Sequence, residues 1–175
     1  PQRDWLRHCA RQFSGIEVNA TFYRLLRPEV FAHWRDVTPD GFGFAIKGHR
    51  LVTHSHRLKD SEDLLRSQRE LARNLGNKLK VVLWQLPAGF RKDLPRLETF
   101  ARALGAWPEP RHAFEFRDES WFEDDVYAAL KGAGAALDMR NAGTAIRLFM
   151  GLLAGHAFDS PLIGDAFLMR RPMQR

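Results

Sequence analysis

The sequence predicts an α/β fold in which parallel strands alternate with helices. Short apolar segments typical of strands recur about every 30 residues, and an amphipathic segment typical of a helix separates each pair. The segment KVVLWQLP is apolar over nearly its whole length, as expected of a strand that is covered on both faces. Spacing alone leaves two architectures open, the doubly wound open sheet and the closed eight-stranded barrel. A barrel usually takes about 250 residues, whereas the 175 residues here supply five or six strand-helix units.

Four strands are predicted clearly, at residues 15–20, 42–47, 80–86 and 112–117. We expect them to be adjacent, parallel and in sequence order, because short helical crossovers nearly always place consecutive strands side by side. The segment AALDMR is interpreted as a fifth, weaker strand. From Asn141 onward the pattern degrades, and there AIRLFMGLLAGHAF is interpreted as a helix broken by glycines and DAFLMRR as a sixth strand.

Five helices are predicted from one-sided apolar spacing and from residues typical of helix ends. Pro28 lies in a predicted first turn, and Ser61 and Ser120 are placed to begin helices. Gly76 and Gly105 are placed to end them. The five segments are DWLRHCARQF, RPEVFAHWRDVTP, DSEDLLRSQRELARNLGNK, DLPRLETFARALGAW and SWFEDDVYAALKGAG.

The composition is that of a globular domain, with 45% hydrophobic and 27% charged residues. A net charge of +6 favours anionic partners such as phosphates or nucleic acid. Cys9 is the single cysteine, so no internal disulfide can form, and we expect it to be a small core residue of a cytoplasmic protein. No apolar run reaches the roughly 18 residues of a membrane span, which predicts no membrane association. Phosphate loops, nucleophile elbows and dinucleotide fingerprints are absent from the sequence, so no cofactor is predicted.

Polar side chains close each predicted strand, and ligands of parallel α/β folds bind at the carboxyl ends of strands. In GIEVNATFY, residues 15–23, Ile16 and Val18 point to one face and Glu17 and Asn19 to the other. Later strands end in Lys47, in Gln85, in Glu115 with Arg117, and in Asp138. A lone Glu or Lys at a strand end more often belongs to a structural ion pair or a solvated strand end than to a site. As a set, these strand ends predict that Glu17, Lys47, Gln85 and Glu115 converge on one water-accessible pocket with perturbed carboxyl pKa values.

Four sequence blocks follow one another from about residue 10 to residue 130: FSGIEVNATFYRL, FGFAIKGHRLVTHSHRLKD, VVLWQLPAGFR and HAFEFRDESWF. They resemble the domain of unknown function 72 family, also called YecE-like proteins. The resemblance implies a TIM-type barrel in the cytoplasm of a bacterium, with no securely assigned activity. The recurring polar positions of the family fall on Glu17, Asn19, Tyr23, Lys47, His54, Gln85, Glu115, Arg117 and Trp121.

Both ends of the chain depart from this family pattern. Family members usually open with a block rich in Gly and Trp that carries the first strand, and this chain starts after that block. Beyond Asp138, a longer apolar stretch replaces the expected short connection to an Arg-containing strand. We therefore interpret residues 1–175 as a single domain that is a fragment of a longer TIM-type (β/α) barrel, and its oligomeric state stays open.

Two functional hypotheses follow from the candidate residues. In the first, an enzyme acts on a small anionic substrate, with Glu17 and Glu115 as acid and base and with Lys47 also catalytic. Arg117 and Lys47 would hold a phosphate or carboxylate of the substrate. The other predicted substrate-binding residues are Asn19, Tyr23, His54, Gln85 and Trp121. A metal on Glu17, Glu115 and Asp138 is disfavoured, because two cations in the same mouth would repel it.

In the second hypothesis, the basic loop of residues 47–59 binds nucleic acid. The segment KGHRLVTHSHRLKD carries Lys47, His49, Arg50, His54, His56, Arg57 and Lys59, directly after a strand end. Such a loop is suited to phosphate contacts, although a solvated basic surface has the same composition. The spacing of its histidines does not match a zinc motif.

Overall fold

A computed structural model of the protein describes residues 4–133. These residues form one parallel sheet of four strands in the order β1-β2-β3-β4, which confirms the predicted adjacency, direction and order. The sheet is open within the described residues, so they do not show the predicted closed barrel. The predicted fifth and sixth strands, the broken helix between them and Asp138 lie outside the described residues. The strands are β1 Gly15–Val18, β2 Gly43–Lys47, β3 Leu79–Gln85 and β4 Arg111–Glu115.

Six α-helices accompany the strands in residues 4–133, and all five predicted helices are among them. They are α1 Trp5–Gln12, α2 Ala20–Tyr23, α3 Pro28–Val37, α4 Glu62–Ala72, α5 Leu94–Leu104 and α6 Asp124–Gly132. The four-residue α2 and a π-helical turn at Leu51–Ser55 were not predicted. In this part of the chain, no helix has the length and apolar character that crossing a membrane requires.

The predicted helix ends are confirmed in part. Pro28 begins α3 and Gly105 follows α5 as predicted. Ser61 precedes α4, but its hydroxyl donates to the carbonyl of Lys59 and does not cap the helix. The prediction that Ser120 opens the last helix is wrong, because its hydroxyl bonds Asp118 within a 3₁₀ turn and α6 begins at Asp124. Gly76 lies beyond the end of α4, inside a 3₁₀ segment, where its φ of 58° suits a residue without Cβ.

The sheet separates two buried clusters because side chains alternate between its faces. The helices cover one face, where strand residues such as Phe44, Ile46 and Trp84 join helix residues in the main core. Cys9 is buried in α1, as predicted. The opposite face carries a smaller cluster of less bulky residues, Ala45, Val81, Leu83 and Ala113. We call this second side the inner face.

The carboxyl end of β2 is held by hydrogen bonds from two other elements. The carbonyl of Lys47 accepts from Thr21 Oγ1 at 2.9 Å and from Gln68 Nε2 at 3.0 Å. Gln68 Oε1 in turn accepts from the backbone N–H of His49 at 3.1 Å. Gly48 lies between these residues, and its N–H donates to the carbonyl of Leu83. The backbone around Lys47 is therefore fixed from both sides.

Gly48 is required by close packing, because a Cβ at this position would lie 2.1 Å from Cε3 of the buried Trp84. We expect Gly48→Ala to lower the free energy of unfolding by about 1–3 kcal/mol, as overpacking of a rigid core does. Urea unfolding would measure the change. Gly89→Ala is the control, since a Cβ there meets nothing within 4 Å. Equal stability of the two variants would contradict this account of Gly48.

Candidate functional site

Four of the predicted site residues lie on the inner face of the sheet. Glu17 pairs in register with Ala45, which belongs to the inner cluster. Lys47 follows two residues after Ala45 on the same strand and pairs with Leu83, so both point the same way. Gln85 and Glu115 are paired neighbours on β3 and β4, two residues beyond Leu83 and Ala113. The strand alternation therefore brings these four side chains to one side of the sheet, near its carboxyl end.

A chain of hydrogen bonds joins three of these residues and Arg117. Lys47 Nζ donates to Gln85 Oε1 at 3.1 Å, and Gln85 Nε2 donates to Glu115 Oε2 at 2.7 Å. The other carboxylate oxygen of Glu115 accepts from Arg117 Nε at 3.1 Å. Lys47, Gln85 and Glu115 are buried, whereas the Arg117 side chain is 41% exposed. The chain thus runs from a buried ammonium to a guanidinium that reaches solvent.

The Lys47 ammonium makes no ion pair within residues 4–133, although Lys47 is only 9% exposed. Its polar partner there is the neutral amide of Gln85, and its Nζ also lies 5.2 Å from the centroid of the Phe22 ring. Both contacts favour a cation without cancelling its charge. A buried cation of this kind attracts an anion strongly, because the surrounding protein screens it poorly.

Glu17 completes the group electrostatically. The residue retains solvent access, yet desolvation by the surrounding protein raises the pKa of its carboxyl above 4.5. The positive charge of Lys47 lowers this pKa, and the negative charge of Glu115 raises it. Desolvation is the largest of the three causes, so the protonated form of Glu17 is favoured relative to a free glutamate.

His54 lies beside the same cations, in the π-helical turn. Its pKa is lowered from 6.5, first by burial and then by the positive charges of Arg117, Lys47 and Arg50. The imidazole is therefore neutral at pH 7. Its Nδ1 lies 2.9 Å from Thr53 Oγ1, and its ring meets the Phe22 ring edge to face with 4.9 Å between centroids.

The remaining predicted residues differ in position. Asn19 precedes α2 and is exposed, with no capping bond from its side chain. Tyr23 ends α2, and its ring meets Phe22 edge to face at 5.0 Å. Trp121 is not brought to the group, because it is fully buried and stacks on Phe116 in the main core, on the helix-covered face.

Sequence reasoning missed Phe22, Thr21 and Gln68, which contact or position Lys47. Thr21 and Phe22 stand directly after the polar end of β1, where residues near a mouth are expected. Gln68 had no such signal, since a buried amide within an amphipathic helix has the same pattern as a solvated one.

The basic loop is only partly available to a partner. Lys47 and His49 are buried, and His54 is half-buried. Burial, followed by the charge of Arg50, lowers the pKa of His49. Within residues 4–133, no three His, Cys, Asp or Glu side chains are grouped in a way that could hold a metal ion. The exposed basic residues of the loop are Arg50, His56, Arg57 and Lys59.

Comparison with protein families adds to this geometry. The model of the family described as protein of unknown function DUF72 matches residues 1–145. The chain belongs to the DUF72 family. The family resemblance predicted from the four sequence blocks is thereby confirmed, and no activity accompanies the family description.

Individual DUF72 relatives agree with this assignment. The UPF0759 protein YecE of Escherichia coli K12 is 32% identical over 118 residues, which are 67% of this chain and 43% of YecE. A DUF72 protein of Enterococcus faecalis V583 has a crystal structure that matches with a TM-score of 0.62 at 19% identity, over 73% of this chain and 50% of that one. The crystal structure of a second DUF72 protein, from Thermotoga maritima MSB8, matches with a TM-score of 0.53 at 27% identity. This match covers 70% of this chain and 48% of that one. This DUF72 chain thus spans half or less of these relatives' length.

A shorter match is to an enzyme. The 3-phosphoshikimate 1-carboxyvinyltransferase of Methylococcus capsulatus is 61% identical over 46 residues, which are 26% of this chain and 10% of that enzyme. Because only a tenth of the enzyme is covered, the match assigns no activity to the DUF72 chain.

Replacing Glu17 with glutamine should change how stability depends on pH. A carboxyl whose folded pKa exceeds its unfolded value of 4.5 binds a proton more tightly when folded, so stability is lost as pH rises through the folded pKa. Glu17→Gln carries no such proton, and we expect its stability relative to wild type to rise from about pH 4.5 upward. Urea unfolding between pH 4 and 9 would measure this, with the exposed Glu70→Gln on α4 as the control. Parallel pH profiles for Glu17→Gln and wild type would contradict it.

Proposed function

We propose that the inner-face group binds the anionic part of a small substrate and acts on that substrate by general acid-base chemistry. The observation that carries this proposal is the buried Lys47 ammonium, which is bonded to a neutral amide and has no ion pair within the described residues. An unpaired buried charge is costly, and a ligand carboxylate or phosphate would offset that cost. The mouth of the sheet would therefore favour an anion.

The charges of the group support the same conclusion. The raised pKa of Glu17 reduces the negative charge that this residue contributes, and His54 is neutral, so the positive charges of Lys47 and Arg117 are less fully balanced than they would be by two ordinary carboxylates. Arg117 uses only its Nε on Glu115, and its two terminal nitrogens make no hydrogen bond within residues 4–133. These nitrogens can donate hydrogen bonds to a second oxygen of the ligand. Carboxylates and phosphates commonly accept such paired hydrogen bonds from arginine.

The two carboxyls then have separate roles in this proposal. Glu17, whose pKa is raised chiefly by desolvation, supplies a proton to the substrate. Glu115, whose two carboxyl oxygens accept hydrogen bonds from Gln85 and Arg117, accepts a proton from the substrate through its remaining lone pairs. Lys47 binds the anionic group and stabilises negative charge that develops beside it. Gln85 fixes the distance between the two charged residues, and Asn19 is placed to donate at the rim.

The wider predictions for this DUF72 chain are also proposals. A polar group at the carboxyl ends of parallel strands, on the face opposite the helices of residues 4–133, occupies the position that active sites take in TIM barrels. We therefore propose that the sheet is part of a closed barrel, with the inner face inside it. A cytoplasmic location remains our proposal from the single cysteine.

Removing the Lys47 charge should weaken anion binding. We expect Lys47→Met to weaken the binding of inorganic phosphate and of acetate at least about tenfold, because a hydrogen bond to a charged group is lost. Titrations followed by NMR would measure both affinities, and circular dichroism would check the fold. Lys80→Met is the matched control, since Lys80 is an exposed lysine near the opposite end of the sheet. Equal anion affinity in the two variants would overturn the proposal.

The nucleic-acid hypothesis keeps one supporting observation, the exposure of Arg50, His56, Arg57 and Lys59. If these residues bind phosphates of a nucleic acid, affinity should fall steeply as salt rises, because bound counterions are released. Fluorescence anisotropy with single- and double-stranded DNA and RNA across salt concentrations would test this. Arg57→Ala combined with Lys59→Ala should reduce both the affinity and its salt dependence. Absence of binding in dilute buffer would rule the hypothesis out.

A further inference from the structure

The Phe22 ring, which adjoins the Lys47 ammonium, contacts two further rings, and we call Phe22, Tyr23 and His54 the aromatic cluster. Phe22 is central: its ring meets Tyr23 at 5.0 Å and His54 at 4.9 Å, both edge to face. The same ring lies 5.2 Å from Lys47 Nζ. An aromatic surface and an unpaired cation are therefore neighbours at the carboxyl ends of β1 and β2.

Tyr23 is the most exposed large apolar residue of the described chain, at 61%. Packing of the core does not account for this position, and the Tyr23 hydroxyl makes no hydrogen bond within residues 4–133. Single exposed apolar residues are common, but their distribution here is uneven. Of the four large apolar residues that are exposed in the described chain, Tyr23, Leu25 and Leu51 all follow the carboxyl ends of β1 and β2. Trp5, on α1, is the exception.

We infer that the substrate of the proposed active site is an aromatic acid, with an anionic group bound by Lys47 and a ring held against the aromatic cluster. This inference rests on the proposed function. Rings attract one another at centroid distances of 4.5–7 Å in edge-to-face or offset arrangements, and Tyr23 offers an exposed ring one step from the cation. A carboxylate or phosphate attached directly to a ring would meet both features at once.

The alternative is that the exposed rings bind apolar molecules non-specifically, and the charge pattern argues against it. The cluster borders a cation that is itself buried and held in place by Gln85, so an apolar ligand without negative charge would leave that cation unpaired. An anion without a ring would leave Tyr23 exposed to water. Only a ligand with both parts satisfies both neighbours.

The test compares ligands that differ only in the ring. Inorganic phosphate and phenyl phosphate form one pair, and acetate and benzoate form the other. On the wild-type chain, we expect each aromatic member to bind about 3- to 10-fold more tightly than its partner, as one aromatic contact provides. NMR titration would give all four affinities on the 175-residue chain.

Three variants separate the ring from other effects. Tyr23→Ala should remove the preference for the aromatic ligands and leave the affinity for inorganic phosphate unchanged. Tyr23→Phe should keep the preference, because the ring remains. Trp5→Ala removes an equally exposed ring on α1, outside the aromatic cluster, and should also keep the preference for aromatic ligands.

The outcomes distinguish this inference from the proposed function. If the wild-type chain binds phosphate and phenyl phosphate equally, the inference is overturned and the anion site stands. If it binds none of the four ligands, the proposed function fails and the inference fails with it. A Tyr23→Ala variant that loses affinity for inorganic phosphate and phenyl phosphate by the same factor would also overturn the inference.

Discussion

The Gln85 side chain is the connection on which the candidate site depends. Its amide joins neighbouring strands, accepting from Lys47 on one side and donating to Glu115 on the other. The orientation of the amide is set by these charges, because the reversed orientation would place its NH₂ group against an ammonium and its oxygen against a carboxylate. Gln85 therefore keeps a cation and an anion close but separate. A direct ion pair between Lys47 and Glu115 would neutralise the ammonium, which would then attract a ligand anion less strongly.

Several backbone contacts keep this arrangement in place. Thr21 and Gln68 both donate to the Lys47 carbonyl, so α2 and α4 fix the strand end from which the ammonium projects. Gly48 permits Trp84 to pack against the same backbone. The solved DUF72 structures share this fold at 19% to 27% identity.

The sequence predicted the strands better than it predicted the side chains around them. Alternation of apolar and polar residues places Glu17 on the face opposite Ile16 and Val18. The same alternation places Lys47, Gln85 and Glu115 on the face of Glu17. Trp121 shows where sequence prediction of the site ends. An aromatic residue just after a strand end is as typical of a pocket rim as of the hydrophobic core, and Trp121 lies in the core. Ser120 was predicted to begin a helix, but its hydroxyl donates a hydrogen bond to Asp118 and does not cap the helix. The π-helical turn at Leu51–Ser55 has no residue pattern that predicts it, and it determines where His54 lies.

Anion binding and proton binding are coupled in such a site. A ligand anion beside Lys47 would offset the positive charge that lowers the pKa of Glu17, and it would add a negative charge of its own. Both effects favour the protonated carboxyl. By linkage, a protonated Glu17 in turn favours the bound anion, because it removes one negative charge from the mouth. The substrate would therefore favour the protonation state that general acid chemistry requires. Glu17 would thus be more often protonated when the anion is bound. Lys47 can influence the pKa of Glu17 in this way because the neutral amide of Gln85 separates it from Glu115.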